Sequence, residues 1–166
     1  MPVLSHYAQK KKISFFLQSI PRDSKILEVG CGSGWAGNFL KQNGWQHYRG
    51  IDLVPPAEIV GDIHEWQKLG LEAGSFDVII AFEVVEHIDI YSPCEELLKK
   101  GGRLLITTPL PHADWVMKSL ESAGLNQKRT SPHSNLHYLE TVGGLELVKC
   151  RRVAGLSQWG VFEKNV

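Results

Sequence analysis

The sequence predicts an α/β fold: a mostly parallel seven-stranded sheet with helices on both faces and a C-terminal antiparallel hairpin. Strand-like and helical segments alternate from residue 25 to residue 107, as expected of a parallel sheet. Segment 76–81 is almost continuously apolar, which is typical of a strand buried on both faces. Segments 145–153 and 158–162 are strand-like and joined by a short Gly-containing turn, which predicts the hairpin.

The N-terminal third predicts a helix, a strand, a glycine turn and a second helix. Apolar residues at 13, 16, 17 and 20 follow helical spacing, and Pro21 ends that helix. Lys25–Val29 is strand-like and enters a glycine cluster, and Trp35–Lys41 predicts the following helix.

The remaining elements continue the alternation. Ser92 and Pro93 predict the start of a helix that ends before Gly101 and Gly102. Ligands of such sheets bind beyond the carboxyl ends of the strands. The other predicted elements are strands 47–52, 58–61 and 103–107 and helices 64–71 and 113–123.

Composition restricts the class of protein. The 18 basic and 18 acidic side chains give a net charge of zero, so no basic surface indicates a nucleic-acid partner. Cys31, Cys94 and Cys150 form no C-x-x-C pair, so neither a disulfide framework nor a zinc site is expected. We expect a single cytoplasmic domain without a membrane span.

The glycine cluster admits two ligands. Gly32, Gly34 and Gly37 fit the dinucleotide-binding pattern, with an acidic residue about twenty positions on. Glu28, two residues before the first glycine of the cluster, would repel a pyrophosphate by roughly 4 kcal/mol at 4 Å and an effective dielectric near 20. S-adenosylmethionine carries an ammonium and a sulfonium, so the same carboxylate favours it.

Acidic residues after the second and third strands fit the same ligand. Asp52 ends the second strand and is placed to accept both ribose hydroxyls. Asp62 can accept from the adenine amino group while Ile63 packs on the ring, although Asp62 also suits a turn or a helix cap.

Five segments in order resemble class I S-adenosylmethionine-dependent methyltransferases, and the Glu86–His87 pair resembles the broad quinone-biosynthesis group. The resemblance implies a Rossmann-like sheet, cofactor binding within about residues 22–110 and a substrate-side segment of about 108–144. The five segments are 26–34, 50–53, 61–63, 76–88 and 101–109. The cofactor residues expected are Glu28, Gly30, Cys31, Gly32, Asp52, Leu53, Asp62, Ile63, Phe82 and Glu83.

Methyl transfer requires binding and alignment, and a general base helps when the acceptor is a hydroxyl or a protonated amine. His133 and His137 are the candidate bases, with His112 nearby in sequence. Surface or hydrogen-bonding roles are as compatible with these histidines. His133 and His137 are also four residues apart, but no third metal ligand is evident, so no metal is expected.

The sequence therefore predicts a methyltransferase that uses S-adenosylmethionine, yields S-adenosylhomocysteine and methylates oxygen, nitrogen or carbon of a small-molecule acceptor. A non-catalytic cofactor-binding module and a protein or RNA methyltransferase remain open alternatives. The acceptor and the oligomeric state are not specified by any motif.

Overall fold

A computed structural model describes residues 3–113 and 136–165 of the chain. One seven-stranded sheet runs through it in the order β3-β2-β1-β4-β5-β7-β6. The pairs among β1 to β5 are parallel, whereas β7 is antiparallel to both β5 and β6. The strands are β1 Ile26–Val29, β2 Tyr48–Asp52, β3 Ile59–Val60, β4 Phe76–Phe82, β5 Leu98–Pro109, β6 Leu145–Val153 and β7 Ser157–Lys164. The predicted mostly parallel, seven-stranded fold is confirmed.

Helices cover both faces of this sheet, as predicted. On one face, α2 packs Ala36 and Leu40 beside Phe16 and Trp45. On the other face, α3 contributes Cys94 and Leu97 to a separate buried cluster. The helical elements are α1 Val3–Lys12, a π-helical segment Ile13–Leu17, α2 Trp35–Gln42, α3 Tyr91–Leu97 and 3₁₀ turns Ile63–Glu65 and Pro111–Ala113.

The predicted helix 64–71 is wrong. A 3₁₀ turn covers Ile63–Glu65, and non-helical turns follow up to Gly70, whose φ is +70°. The Asp62 side chain accepts the His64 backbone N–H, which closes a tight turn at the start of the segment. A capped turn at one end and a left-handed glycine at the other leave too few residues for a helix.

The predicted boundary near residue 101 is also wrong, because β5 begins at Leu98 and passes through both glycines. Phe76 pairs with Leu98 whereas Val78 pairs with Arg103, so the extra residues of β5 bulge outward. A Cβ at Gly102 would lie 2.8 Å from the Lys99 carbonyl oxygen. The glycines therefore form a bulge inside the strand instead of ending the helix.

Two further helix predictions differ from the structure. The N-terminal helix begins ten residues earlier than the apolar spacing predicts, at Val3, and widens into the π-helical segment at Ile13. Of the predicted helix 113–123, only Ala113 is described, as the last residue of a 3₁₀ turn. No helix among the described residues is long and apolar enough to cross a membrane.

Candidate active site

Buried polar side chains concentrate near the carboxyl ends of the central strands. Of the seven buried polar or charged side chains among the described residues, only Ser24 lies away from this edge. Such groups are costly to bury unless they are paired, so their concentration marks a functional site. The other six are Lys12, Glu28, Glu86, Thr107, Thr108 and Gln158.

The glycine loop connects β1 to α2. Gly30, Gly32 and Gly34 all have positive φ, between +49° and +71°, a region that other residues rarely adopt. The N–H groups of Gly30 and Cys31 donate to the Ile51 carbonyl oxygen, at 2.8 and 3.2 Å, which ties the loop to β2. A Cβ at Gly32 would meet no atom within 4 Å, so the loop presents open space there.

Cys31 points inward from this loop. Its side chain is buried, and burial raises the pKa of the thiol to about 11. The thiol therefore stays protonated and behaves as a small apolar group. Cys31 contributes its backbone to the loop, while its side chain fills space against Gly50.

Glu28 lies beneath the loop and not on its open side. Only 3% of the residue is exposed, and the Tyr48 hydroxyl donates to its carboxylate at 2.5 Å. Burial raises the pKa of Glu28 to about 7, although the Tyr48 bond opposes the shift. Cβ atoms at Gly37 and Gly50 would come within 3.0 Å of Tyr48, so both glycines make room for the phenol.

Asp52 ends β2 and faces the loop. The Gly32 N–H donates to its Oδ2 at 2.8 Å, and the Leu53 N–H donates to its Oδ1 at 2.7 Å. A carboxylate has about four acceptor positions, so further donors can still bind each oxygen. Leu53 beside it is 66% exposed.

Asp62 and His64 form a bridge between two loops. Asp62 Oδ1 pairs with His64 Nδ1 at 2.8 Å, and His64 Nε2 pairs with the Asp89 carbonyl oxygen at 2.8 Å. Because both partners are acceptors, both ring nitrogens donate only when the imidazole is protonated. The hydrogen bond to Asp62 raises the pKa of His64, while bonds from His64 lower the pKa of Asp62. Ile63 is buried between them in sequence.

Phe82, at the end of β4, forms an aromatic wall with Trp35. Their ring centroids are 5.9 Å apart with planes inclined by 15°. The Lys12 ammonium lies 5.1 Å from the Phe82 centroid, within the range of a cation–π contact. This places a cation from the N-terminal helix beside the first turn of α2.

Glu83 and Glu86 follow β4 directly. Glu83 has a φ of +59°, uncommon for a residue with a side chain, and such strain clusters at functional sites. Its Oε1 accepts from Lys12 Nζ and Thr107 Oγ1, both at 2.8 Å. Desolvation by the surrounding protein opposes ionisation even though the side chain is 42% exposed, but the attraction of Lys12 outweighs it, so the pKa of Glu83 lies below its usual range. Burial and the Glu83 charge raise the pKa of Glu86 to about 8.

His137 is held by side chains from β7 and α3. The buried side chain of Gln158 donates to the His137 carbonyl oxygen at 2.6 Å and accepts from the Leu139 N–H at 3.0 Å. The Tyr91 hydroxyl lies 3.1 Å from His137 Nε2. His112 instead contacts the Tyr138 hydroxyl, at 3.1 Å.

His133 lies outside the described residues. His87, within the described part, is half-buried. No group of three or more His, Cys, Asp or Glu side chains among the described residues is placed to hold a metal ion.

A groove of about 850 Å³ lies elsewhere, at the amino ends of β4 and β5. Its lining includes Asp77, Lys99 and Arg103, and Lys99 already pairs with Asp77 at 2.6 Å. None of the predicted cofactor residues lines this groove. The groove is therefore separate from the buried polar side chains at the carboxyl edge.

Comparison with known families places this arrangement. Residues 4–144 match the family described as "Methyltransferase domain". The chain belongs to this family. The match covers β1 to β5 and the glycine loop. These parts of the methyltransferase domain contain the sequence motifs that resembled the family.

Relatives of this methyltransferase domain include a ubiquinone biosynthesis O-methyltransferase of Xanthomonas axonopodis pv. citri, 30% identical over 158 residues. That alignment covers 82% of this chain and 64% of the relative. Another, from Ralstonia nicotianae, is 28% identical over 152 residues, covering 80% and 62%. The chain thus spans somewhat less than two thirds of the length of these relatives.

Solved structures share the fold of this methyltransferase domain. A SAM dependent methyltransferase from Archaeoglobus fulgidus superposes with a TM-score of 0.62 at 15% identity, covering 95% of this chain and 94% of that one. At such identity the likeness concerns the fold alone.

Sequence reasoning missed several residues that the site of this methyltransferase domain contains. Lys12 lies in a run of three lysines that reads as a solvated helix face, and only the fold shows that its side chain turns inward. Tyr48 is the first residue of β2, and its partner Glu28 belongs to the neighbouring strand β1. A signal for Tyr48 was present in Gly37 and Gly50, whose missing side chains make room for it.

Proposed function

We propose that this chain transfers the methyl group of S-adenosylmethionine to a small-molecule acceptor and releases S-adenosylhomocysteine. The observation that carries the proposal is the union, at one sheet edge, of a glycine loop in left-handed conformation with the Asp52 carboxylate. The relatives named as O-methyltransferases support the same activity.

The donor set fits this cofactor better than a dinucleotide. Glu28 lies buried below the loop with its pKa raised to about 7, so a nearby cation favours its ionised form and a nearby phosphate opposes it. S-adenosylmethionine brings an ammonium and a sulfonium to the open side of the loop, near this carboxylate. The open space above Gly32 admits a ligand close to the main chain.

Several of the predicted cofactor residues, and Lys12 in addition, have a role in this proposal. Asp52 accepts the ribose hydroxyls with the acceptor positions that the loop leaves unused. Asp62 and Ile63 bind the adenine, and Phe82 packs beside it or the sulfonium. Lys12, beside Phe82, supplies a cation for the carboxylate of the methionine portion.

The cofactor supplies a methyl group already activated by a positive sulfur, so the protein contributes binding, alignment and exclusion of water. We also place the protein in the cytoplasm, which the three free cysteines support because they suit a reducing compartment. The proposal also includes a single methyltransferase domain and a small-molecule acceptor.

Calorimetric titration with S-adenosylhomocysteine and with NAD tests the cofactor. We expect binding of the first and none of the second. Asp52→Ala is expected to weaken S-adenosylhomocysteine binding about 10- to 100-fold, the effect of losing hydrogen bonds to a charged group. Asp23→Ala, at an exposed position, is the matched control, and circular dichroism checks that both variants fold. Unchanged affinity in a folded Asp52→Ala protein would exclude the ribose role.

A further inference from the structure

The carboxylate of Glu83 has one acceptor position left over. Lys12 and Thr107 both donate to Oε1, and Glu86 hydrogen bonds to the same carboxylate. A carboxylate has about four acceptor positions, so three donors leave one. The Glu83 side chain is 42% exposed, so a ligand can reach this carboxylate.

Glu86 carries the proton that the pair shares. Only 1% of the residue is exposed, and its Oε2 has no hydrogen-bond partner in the described structure. An ionised Glu86 would leave a charged oxygen buried without a donor, which is far costlier than a neutral carboxyl. The geometry thus favours a protonated Glu86 that donates to an ionised Glu83, with the Lys12 ammonium balancing the charge.

We infer that Glu83 is the catalytic residue that accepts the proton of a hydroxyl acceptor, and that Glu86 positions it by sharing a proton. This inference rests on the proposed function and narrows the acceptor to the hydroxyl class. His133 and His137 are then not the base.

The step balances with Glu83 as the proton acceptor. The acceptor oxygen forms a bond to the methyl carbon while the carbon–sulfur bond breaks and its electron pair remains on sulfur. The hydroxyl proton passes to Glu83 and then to solvent. Methylation of a neutral hydroxyl gives a protonated ether, which is a much stronger acid than a carboxylic acid. A carboxylate with a lowered pKa therefore still removes its proton.

Amines need no such group during the transfer. When a neutral amine is methylated, the product is a stable ammonium that keeps its protons. A fixed carboxylate with a free acceptor position therefore contributes less to methylation of an amine than of a hydroxyl. A divalent cation at the pair is disfavoured because the Lys12 ammonium already lies 2.8 Å from Glu83 Oε1.

The first experiment uses 4-nitrocatechol, whose visible absorbance distinguishes the neutral hydroxyl from its anion. It is titrated with pH while bound to the protein saturated with S-adenosylhomocysteine. A neighbouring carboxylate opposes ionisation of the bound hydroxyl, so we expect the transition at higher pH in the natural protein than in Glu83→Gln. Glu163→Gln, at a partly exposed ion-paired glutamate on β7, should leave the transition unchanged. Equal transitions in all three would overturn the inference.

The second experiment follows transfer of labelled methyl groups to 4-nitrocatechol. We expect Glu83→Gln to lower kcat at least about 100-fold, within the usual range for a lost general base, with little change in S-adenosylhomocysteine affinity. Glu86→Gln should keep part of the activity, and its kcat profile should lack the inflection near pH 8 that we expect in the natural protein. An inflection that persists in Glu86→Gln would exclude its role.

Two outcomes separate this inference from the proposed function. Failure to bind S-adenosylhomocysteine removes the proposed function itself. Binding of S-adenosylhomocysteine without binding or methylation of 4-nitrocatechol contradicts only the hydroxyl assignment. Activity that EDTA abolishes and Mg²⁺ restores would show that the carboxylates hold a cation, and would overturn the proton-acceptor role.

Discussion

At the scale of single residues, the glycine loop contains two glycines that are required for different reasons. Gly30 has a φ of +68°, and a Cβ there would lie 2.6 Å from the Val84 side chain. Gly32 has a φ of +49°, but a Cβ there would meet open space. The first position is restricted by conformation and by packing, whereas the second is restricted by conformation and, in the proposed function, by the cofactor.

This difference predicts unequal alanine variants. Gly30→Ala should destabilise the fold by about 1–2 kcal/mol for the left-handed conformation and by about 1–3 kcal/mol more for the overlap with Val84. Gly32→Ala should cost only the first amount but weaken S-adenosylhomocysteine binding. Urea unfolding and calorimetry measure the two effects. If Gly30→Ala and Val84→Ala destabilise the double variant by the sum of their separate effects, the packing argument fails.

The Tyr48–Glu28 pair makes a second prediction at this scale. Tyr48→Phe removes the donor at 2.5 Å from a buried carboxyl and should destabilise the fold by about 1–3 kcal/mol. Without that donor the pKa of Glu28 rises further, so the loss should be larger at pH 8 than at pH 5. Chemical unfolding at both pH values tests this, with the exposed Tyr7→Phe as control. Equal losses at the two pH values would contradict the assignment.

At the scale of elements, β7 does more than complete the sheet. Gln158 lies opposite Thr108, at the carboxyl end of β5, and its amide pairs with the backbone of both His137 and Leu139. The Gln158 amide therefore pairs with this backbone as a neighbouring strand would, and it fixes the chain at residues 137–139. The Tyr91 hydroxyl contacts His137 from α3, so two elements hold one histidine.

Removing this amide should release the returning chain. Gln158→Leu leaves a buried carbonyl and a buried N–H without partners, which should cost about 1–3 kcal/mol. Hydrogen exchange at the Leu139 amide should accelerate strongly, while the amides of β1 to β4 should change little. The exposed Gln67→Leu is the control. Unaltered exchange at Leu139 would show that other contacts fix the segment.

The sequence specifies some of these elements better than others. The apolar run of β4 and the terminal hairpin are readable because burial on both faces and a glycine turn leave direct patterns. The turns after Asp62 are not readable in this way. The Asp62 side chain caps the chain there, and this contact prevails over the short stretch of apolar spacing that predicts a helix. Gly101 and Gly102 predict a helix end but form a bulge, since a helix end and a bulge can both use a glycine in a left-handed conformation.

The candidate site divides in the same way. Asp52 and the glycine loop follow from spacing along one segment, and the structure brings them together through the Gly32 N–H. Lys12, Tyr48 and Gln158 depend on contacts between distant segments. A pattern in one sequence contains no direct signal for such contacts.

At the scale of the whole molecule, buried carboxyls make stability depend on pH. The native pKa of Glu86 is about 8 and that of Glu28 about 7, against 4.5 for an ordinary glutamate. Between pH 4.5 and these values the native protein holds protons that the unfolded chain has released. Stability therefore falls as pH rises, by roughly 1.4 kcal/mol per pH unit for each group still protonated.

Glu86→Gln should flatten this dependence. Between pH 7 and pH 8 the natural protein should still lose stability through Glu86, while the variant, whose amide does not titrate, should lose markedly less. Urea unfolding at intervals from pH 5 to pH 8.5 measures both slopes, and Glu163→Gln, at a partly exposed position, serves as the control. Parallel curves for the natural protein and Glu86→Gln would show that Glu86 does not titrate as assigned.

The strand order has a consequence for how the molecule assembles. β6 pairs only with β7 among the described strands, and β7 fills the place between β5 and β6. During synthesis β6 leaves the ribosome first, yet its place in the sheet does not exist until β7 has emerged and docked on β5. The first five strands can pair as they appear, whereas the edge of the sheet has to wait for the last of the seven strands to be made.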